Sequence, residues 1–234
     1  MHTTSLIGGL DCGWLPSSQL VCAAADNLLT FAITKNTMKN ALRLTLFCLL
    51  GCVPLLAQVP TDSPVDVLRH PGWEKTIFAG GGTTVDSSPS GQNFVVGFRL
   101  GRVLTEEHGS GIFRGTFEAG FDVIPLDEYW INGGQYAGGV DPVMLKWNFT
   151  NGCKVAPYAA IVGGVLFSNH NLPPGDTSQV NFTSGAEIGA QIFRKGPNSW
   201  NVAVKAYHLS NASIGNHNPG LNANLQFMLG YSWH

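Results

Sequence analysis

Hydrophobic and polar residues alternate along most of this chain with a period of two. The alternation comes in runs between residue 73 and the C-terminus, and turn residues such as Asn151-Gly152 separate the runs. A period of two indicates β-strands, and strands that cross a bilayer need roughly 9–11 residues each. Eight such runs predict eight strands: 73–84, 93–105, 111–125, 135–149, 155–168, 179–193, 198–211 and 221–233.

The two faces of each predicted strand differ in polarity. In the last run, the odd positions from Leu221 to Trp233 are apolar or aromatic, whereas Asn222, Asn224 and Gln226 share the other face. A soluble β-sandwich also alternates, but its solvent face carries many Lys and Glu side chains. Here the polar faces carry few charges, and these are of both signs: Arg99, Arg114, Glu118, Asp122, Lys146, Glu187 and Lys205.

These faces predict an all-β fold, an eight-stranded antiparallel transmembrane β-barrel. Eight strands enclose a space that side chains can fill, so we expect a side-chain-filled interior with paired charges and no open pore. A soluble lipocalin-like carrier is a weaker interpretation, because charge is depleted on both faces. Two acidic pairs, Glu106-Glu107 and Asp127-Glu128, fall between or at the ends of runs and are interpreted as loop charge, although a divalent-ion site at Asp127-Glu128 remains open.

The composition agrees with a membrane-spanning barrel. Charged residues make up 12% of the 234 residues, about half the usual share of a soluble domain, and glycines number 29. The formal net charge of −2 gives no reason to expect a nucleic-acid partner. Cysteines and histidines have no metal-binding spacing, so we predict neither a metal nor a cofactor.

A segment that begins at Met38 has the pattern of an export signal. A basic stretch precedes the apolar sequence LTLFCLLGCVPLLAQ, in which cleavage is expected near Ala57. The rival interpretation is a lipoprotein signal that is acylated at Cys52. The predicted organisation is an upstream start extension (1–37), a signal peptide (38–57), a Pro-rich lead (58–72) and the barrel (73–234).

The seventh run ends in a histidine and a serine two residues apart. The even positions from Trp200 to Ala206 are apolar, so His208 and Ser210, which continue that parity, are expected on the lipid-facing wall. A polar pair in apolar surroundings is costly unless it has a use. One use is as a nucleophile and its general base. By spacing alone, a polar strand end that enters a loop is the simpler interpretation.

The segment His208-Leu209-Ser210-Asn211-Ala212, followed by Asn218-Pro219-Gly220-Leu221-Asn222, resembles the outer-membrane lipid A 3-O-deacylase (PagL-type) family. The resemblance extends over most of residues 73–234. It implies a bacterial outer-membrane esterase that removes the 3-O-linked acyl chain of lipid A, with lipopolysaccharide and membrane lipids as partners. It further implies that Ser210 is the nucleophile, His208 the general base and Asn211 an oxyanion-hole contributor.

One position departs from the family pattern. The family's acid lies about a dozen residues after the nucleophile, where this chain has Asn222. An asparagine can orient an imidazole, but it does not stabilise the imidazolium as a carboxylate does. By alternation Asn222 falls on the polar face, so it reaches His208 only if its strand begins with a kink or bulge; Asn216 and Asn218 are the fallback orienters. The alternative function is a non-catalytic outer-membrane barrel with a structural or adhesive role.

Overall fold

The computed structural model describes residues 63–85, 90–215, 217 and 221–234, with residues 221–223 described by their backbone alone. Each strand pairs antiparallel with the next, and the last pairs with the first, so the sheet closes into a barrel. The predicted eight-stranded antiparallel fold is confirmed. The strands are β1 (Gly72–Thr84), β2 (Gln92–Val103), β3 (Gly115–Trp130), β4 (Gly134–Phe149), β5 (Val155–Ser168), β6 (Val180–Phe193), β7 (Ser199–Ser210) and β8 (Leu221–Trp233).

Helical structure is confined to two short 3-10 turns, Pro64–Leu68 and Gly111–Phe113, in the part of the chain that is described. Among those residues, no helix has both the length and the apolar character needed to cross a membrane. The predicted start extension and signal peptide, with both of their candidate processing sites, lie outside the described residues.

The outer wall of the barrel is apolar and the interior is polar. Phe227 on the wall is 63% exposed, whereas the inward-pointing Lys146 is 1% exposed. This arrangement is the opposite of a lipocalin-like carrier, in which apolar side chains line the inside. It suits a barrel whose wall contacts lipid and whose charges are shielded within. Large exposed side chains on the wall include Trp73, Phe98, Phe121, Ile161, Ile188 and Leu229.

Ion pairs fill the middle of the interior. The Arg99 guanidinium donates to both carboxylate oxygens of Asp122, at 2.8 and 2.9 Å, and to Glu187 at 3.1 and 3.3 Å. The Lys146 Nζ lies 2.7 Å from Glu74 and 2.8 Å from Glu118. Buried charges of opposite sign therefore compensate one another, as the sparse mixed charge of the polar faces predicts.

One residue of the predicted interior set lies elsewhere. Arg114 comes directly before β3, is 43% exposed on its side chain, and pairs with Glu107 at the rim of the barrel. The expectation that Arg114 points inward is wrong because β3 begins at Gly115, after a 3-10 turn rather than within a strand. Lys205 does point inward, where its Nζ is 3.7 Å from Asp141.

The third strand runs farther than its alternation suggests. The pairing of β3 with both neighbours shifts by a residue around Pro125, so the inward-facing parity changes there. Past the shift, Asp127 is inside the barrel and 1% exposed, and it accepts hydrogen bonds from Asn93 and the Tyr129 hydroxyl. The interpretation of Asp127 as loop charge is therefore wrong, and β3 continues to Trp130.

The segment before β1 closes one end of the barrel. Ser63 caps the 3-10 turn with a capping box, in which its hydroxyl and the Asp66 carboxylate each accept a backbone N–H. Val65 and Leu68 then pack into an apolar cluster with Val103, Ala156 and Phe193. This segment, Ser63–Leu68, is called the end plug below.

An acidic side chain fastens Arg69, the residue directly after the end plug, to the rim of the barrel. Glu107 forms an ion pair with Arg69 at 3.2 Å, pairs with Arg114 and accepts from the Thr150 hydroxyl. The interpretation of Glu106-Glu107 as loop charge is thus wrong for Glu107, which is held by three partners. Glu106 is exposed and contacts His70. The opposite end is closed by a second apolar cluster: Tyr129, Ile131, Ala137, Leu166, Leu172 and Leu209.

Candidate active site on the outer wall

The end of β7 places His208 and Ser210 on the outer wall. Both side chains are half-buried and share the parity of exposed Trp200 and Ala206, as predicted. Leu209 between them points inward and is 1% exposed within the apolar cluster at that end. The buried leucine fixes the strand, so the two polar side chains are presented from a rigid element.

The spacing on the strand puts the two groups within mutual reach. Residues two apart on a strand share a face and are separated by about 6.7 Å along it. An imidazole and a serine hydroxyl on one face are able to span such a distance. On the adjacent strand β6, Ser184 is the partner of His208 and Phe182 is the partner of Ser210. On that side His208 therefore borders a serine, and Ser210 borders an apolar phenylalanine.

The pairing of β7 with β8 is irregular beside His208. Tyr207 pairs with Asn224 and Leu209 pairs with Leu221, so two residues of β8, Asn222 and Ala223, stand opposite His208 alone. This is a β-bulge, which shifts the alternation by one residue. The backbone register thus brings position 222 alongside His208. A bulge of this kind is the condition under which the alternation lets residue 222 reach His208. The fallback positions 216 and 218 lie outside the described residues.

The loop after Ser210 is organised by Asn211. Its side-chain Oδ1 accepts from the Ser213 backbone N–H at 2.9 Å, and its Nδ2 donates to the His217 carbonyl at 2.9 Å. The predicted oxyanion contributor is 2% exposed, so it is a structural part of the loop whatever else it does. An asparagine side chain that accepts a hydrogen bond from the backbone two residues later commonly forms a turn. The asparagine directly after the strand is therefore a turn signal that is visible in the sequence.

Backbone strain is concentrated in the same loop. Ala212 and Ser213 have φ values of 49° and 63°, in the left-handed region that L-residues with a Cβ rarely enter. Each costs roughly 1–2 kcal/mol, so the surrounding bonds must hold them in place. Such strain is typical of functional sites. Here it follows directly after Ser210.

The arrangement contains groups that acyl transfer chemistry can use. A hydroxyl and an imidazole lie on one face of a fixed strand, amide groups follow in a tight loop, and a bulge sets the backbone of position 222 opposite His208. No group of three potential metal ligands occurs among the described residues. The arrangement is suited to nucleophilic attack on a carbonyl that lies at the lipid-facing surface.

The fold and the wall define this molecule as a transmembrane β-barrel with a polar pair on its lipid-facing surface. The profile of the family described as lipid A 3-O-deacylase (PagL) matches residues 103–232, or 130 of the 234 residues. The chain belongs to this family. The matched range includes the end of β7, the following loop and the start of β8.

The solved structures that are similar to the chain include two outer-membrane proteins. One is described as the crystal structure of the outer membrane enzyme PagL; it is 20% identical, with a TM-score of 0.42, and the match covers 69% of this chain and 99% of that one. The other is Neisserial surface protein A (NspA), 12% identical, with a TM-score of 0.47 and coverage of 68% and 95%. No curated protein sequence matches the chain.

Proposed function

We propose that this protein is a bacterial outer-membrane esterase that hydrolyses the 3-O-linked acyl chain of lipid A in lipopolysaccharide. Membership of the deacylase family supports the reaction. The observation that carries the proposal is the outward position of His208 and Ser210 at one end of an apolar wall. An ester of a membrane lipid lies at that depth, where it meets the pair without entering the barrel.

The chemistry begins with the neutral imidazole of His208, which accepts the proton of the Ser210 hydroxyl. The Ser210 Oγ forms a bond to the carbonyl carbon of the acyl ester, and the carbonyl oxygen becomes an oxyanion. As the intermediate collapses, the bond to the sugar oxygen breaks and His208 returns the proton to that oxygen. The products of this step are an acyl-serine and a lipid A with a free 3-hydroxyl.

Water completes the cycle. His208 takes a proton from a water molecule, the water oxygen attacks the acyl-serine carbonyl, and the proton passes to Oγ as the fatty acid leaves. The reaction needs no cofactor, because each proton moves between the substrate, water and side chains of the chain.

Two asparagines complete the proposed site. Asn222 orients the far ring nitrogen of His208 in place of the family's acid, an assignment supported by the bulge that sets it opposite His208. Asn211 contributes to oxyanion stabilisation, either through its amide or through the N–H groups of the loop that it organises.

The proposed orientation places the site in the outer leaflet. Around β5 to β8, the turns at the plugged end are short, with residues 150–154 and 194–198 between strands. Around these strands the connections at the site end are longer and comprise residues 169–179 and 211–220, whereas around β2 to β4 the order is reversed, with residues 104–114 at the plugged end and 131–133 at the site end. Outer-membrane barrels have short periplasmic turns and longer extracellular loops, so the connections of β5 to β8, which border the site, support a site end that faces outward, where lipopolysaccharide lies.

The test is lipid A analysis of cells that produce Ser210→Ala or His208→Asn. Mass spectrometry of extracted lipid A should show the deacylated species with the unaltered protein and a loss of about 10³-fold or more in rate with each variant. Ser110→Ala is the matched control, since Ser110 is exposed at the plugged end and its side chain caps no helix. Full deacylation by a folded Ser210→Ala variant would refute the proposal.

The non-catalytic barrel is the competing function. It is favoured by the absence of any Asp or Glu after the proposed nucleophile. In that case lipid A is the same with the unaltered protein, with Ser210→Ala and without the protein.

A further inference from the structure

We infer that a buried chain of amide hydrogen bonds holds the bulged start of β8 in register with His208. This makes Asn224, Asn93 and Asp127 positioning residues for the site on the other side of the wall. The inference rests on the proposed function, because it assigns these interior residues to the geometry of the same site.

The chain of hydrogen bonds joins three strands from the inside. The Asn224 Nδ2 on β8 donates to the Asn93 Oδ1 on β2 at 2.9 Å. The Asn93 Nδ2 in turn donates to the Asp127 Oδ1 on β3 at 2.8 Å, and the Tyr129 hydroxyl donates to the other carboxylate oxygen at 2.9 Å. All four side chains are at most 2% exposed, so the chain is shielded from water and its bonds compete with no solvent.

The bond between Asn224 and Asn93 crosses over β1, which lies between their strands. The crossing point is Gly82, whose register partner on β2 is Asn93. A Cβ at position 82 would lie 2.5 Å from the Asn224 Oδ1 and 2.6 Å from the Asn93 Oδ1. Any other residue would therefore push the two amides apart, and the bridge depends on the missing side chain at this position.

The bridge acts at the residue next to the bulge. Asn224 is the partner of Tyr207 and comes directly after Asn222 and Ala223 along the chain. On the other strand, Tyr207 and Leu209 on either side of His208 are buried at 3% and 1% exposure. Buried side chains inside the barrel thus hold both β7 and β8 at the height of His208. The register of position 222 relative to His208 follows from these anchors.

A buried amide bridge suits this task better than apolar packing does. A directional hydrogen bond between two fixed positions adds a constraint on register to the one that the alternation of apolar side chains supplies. A bulge adds one residue to one strand, so the pairing has a different register on its two sides. Single buried polar residues fix the register of coiled coils in the same manner.

The experiment compares Gly82→Ala with Gly81→Ala. Gly81 is the adjacent residue, faces outward, and a Cβ there meets no atom closer than 3.7 Å. Neither glycine has a positive φ, so alanine fits the backbone at both positions. With purified, folded protein and lipid A in mixed micelles, Gly82→Ala should lower kcat roughly 10- to 100-fold with KM unchanged, while Gly81→Ala keeps the original kcat.

Two readouts separate positioning from a general loss of structure. Hydrogen exchange at the amides of residues 222 and 223 should be faster in Gly82→Ala than in Gly81→Ala, whereas exchange in β4 and β5 is the same in both. In an Asn222→Ala background, Gly82→Ala should cause no further loss of kcat, because both changes disable the same contact. Asn224→Leu, which removes the donor and keeps the branched shape of the side chain, should reproduce Gly82→Ala even if the latter folds poorly.

The outcomes distinguish this inference from the proposed function. If Ser210→Ala remains active, the proposed reaction fails, but faster exchange at 222 and 223 in Gly82→Ala still supports the bridge as the anchor of the bulge. If exchange and kcat in both Gly82→Ala and Asn224→Leu equal those of Gly81→Ala, the inference is overturned. Losses of kcat that multiply in the Asn222→Ala background would overturn it as well.

Discussion

Replacement of Lys146 by methionine tests how far the buried ion pairs hold the barrel together. The Lys146 Nζ lies 2.7 Å from Glu74 and 2.8 Å from Glu118, and its side chain is 1% exposed. Methionine keeps much of the apolar stem and removes the charge, so two carboxylates are left facing each other without a cation. Asn148 and Gln191 remain as hydrogen-bond donors to them at 2.8 and 2.9 Å.

The size of the effect follows from the two contacts. At an effective dielectric constant of about 20, each contact corresponds to about 6 kcal/mol of Coulomb attraction. Most of this attraction offsets the cost of removing three ions from water, so the pairs themselves add little. Once Lys146 is gone, that cost is no longer compensated, and we expect the free energy of unfolding to fall by about 3–5 kcal/mol.

The assay is urea unfolding from lipid vesicles, followed by tryptophan fluorescence and by the gel mobility of the folded barrel. Lys75→Met is the matched control, because Lys75 is exposed on the outer wall of β1 and should lose less than about 1 kcal/mol. A second change, Glu118→Gln, should restore part of the stability of Lys146→Met by removing one unpaired charge. A loss below about 1 kcal/mol for Lys146→Met, or no recovery with Glu118→Gln, would refute the reasoning.

Two further predictions concern the end plug and the site. Leu68→Ala should lower the free energy of unfolding by about 2–4 kcal/mol in the same urea assay, because Leu68 is fully buried. Val67→Ala, at a partly buried position, should lower it less. Equal losses in the two variants would contradict the role of the end plug. Asn222→Asp should raise the kcat of lipid A deacylation at least tenfold, because a carboxylate stabilises the imidazolium and an amide does not. An unchanged or lower kcat would argue against Asn222 as the residue that orients His208.

The strands and their faces were predictable because one physical constraint acts on every residue of a wall. Each outward position meets lipid and each inward position meets a confined polar interior, so apolar and polar residues alternate along the sequence. The predicted runs for β5 and β8 have the same bounds as the strands. The outward parity of His208 and Ser210 follows from the same rule.

The departures arise where a local pattern is overruled by distant partners. At Pro125 the parity changes because β3 must stay in register with both β2 and β4, so Asp127 could not be placed from its own neighbours. Beside the bulge opposite His208, Asn224 likewise bonds to Asn93, which bonds to Asp127, and both residues are far away in sequence. For the end plug a signal existed, since Ser63 and Asp66 have the spacing of a capping box, but its docking against Phe193 had none.

In the proposed function, the outward position of His208 and Ser210 determines how a reaction partner arrives. A pocket with a mouth samples the surrounding solution in three dimensions, whereas a pair on a barrel wall is met only by molecules that travel within the membrane plane. Encounter then depends on the surface density and lateral mobility of the lipid, not on its concentration in solution. Agents that stiffen or loosen lipid packing should therefore change the apparent rate of this site while the protein itself stays the same.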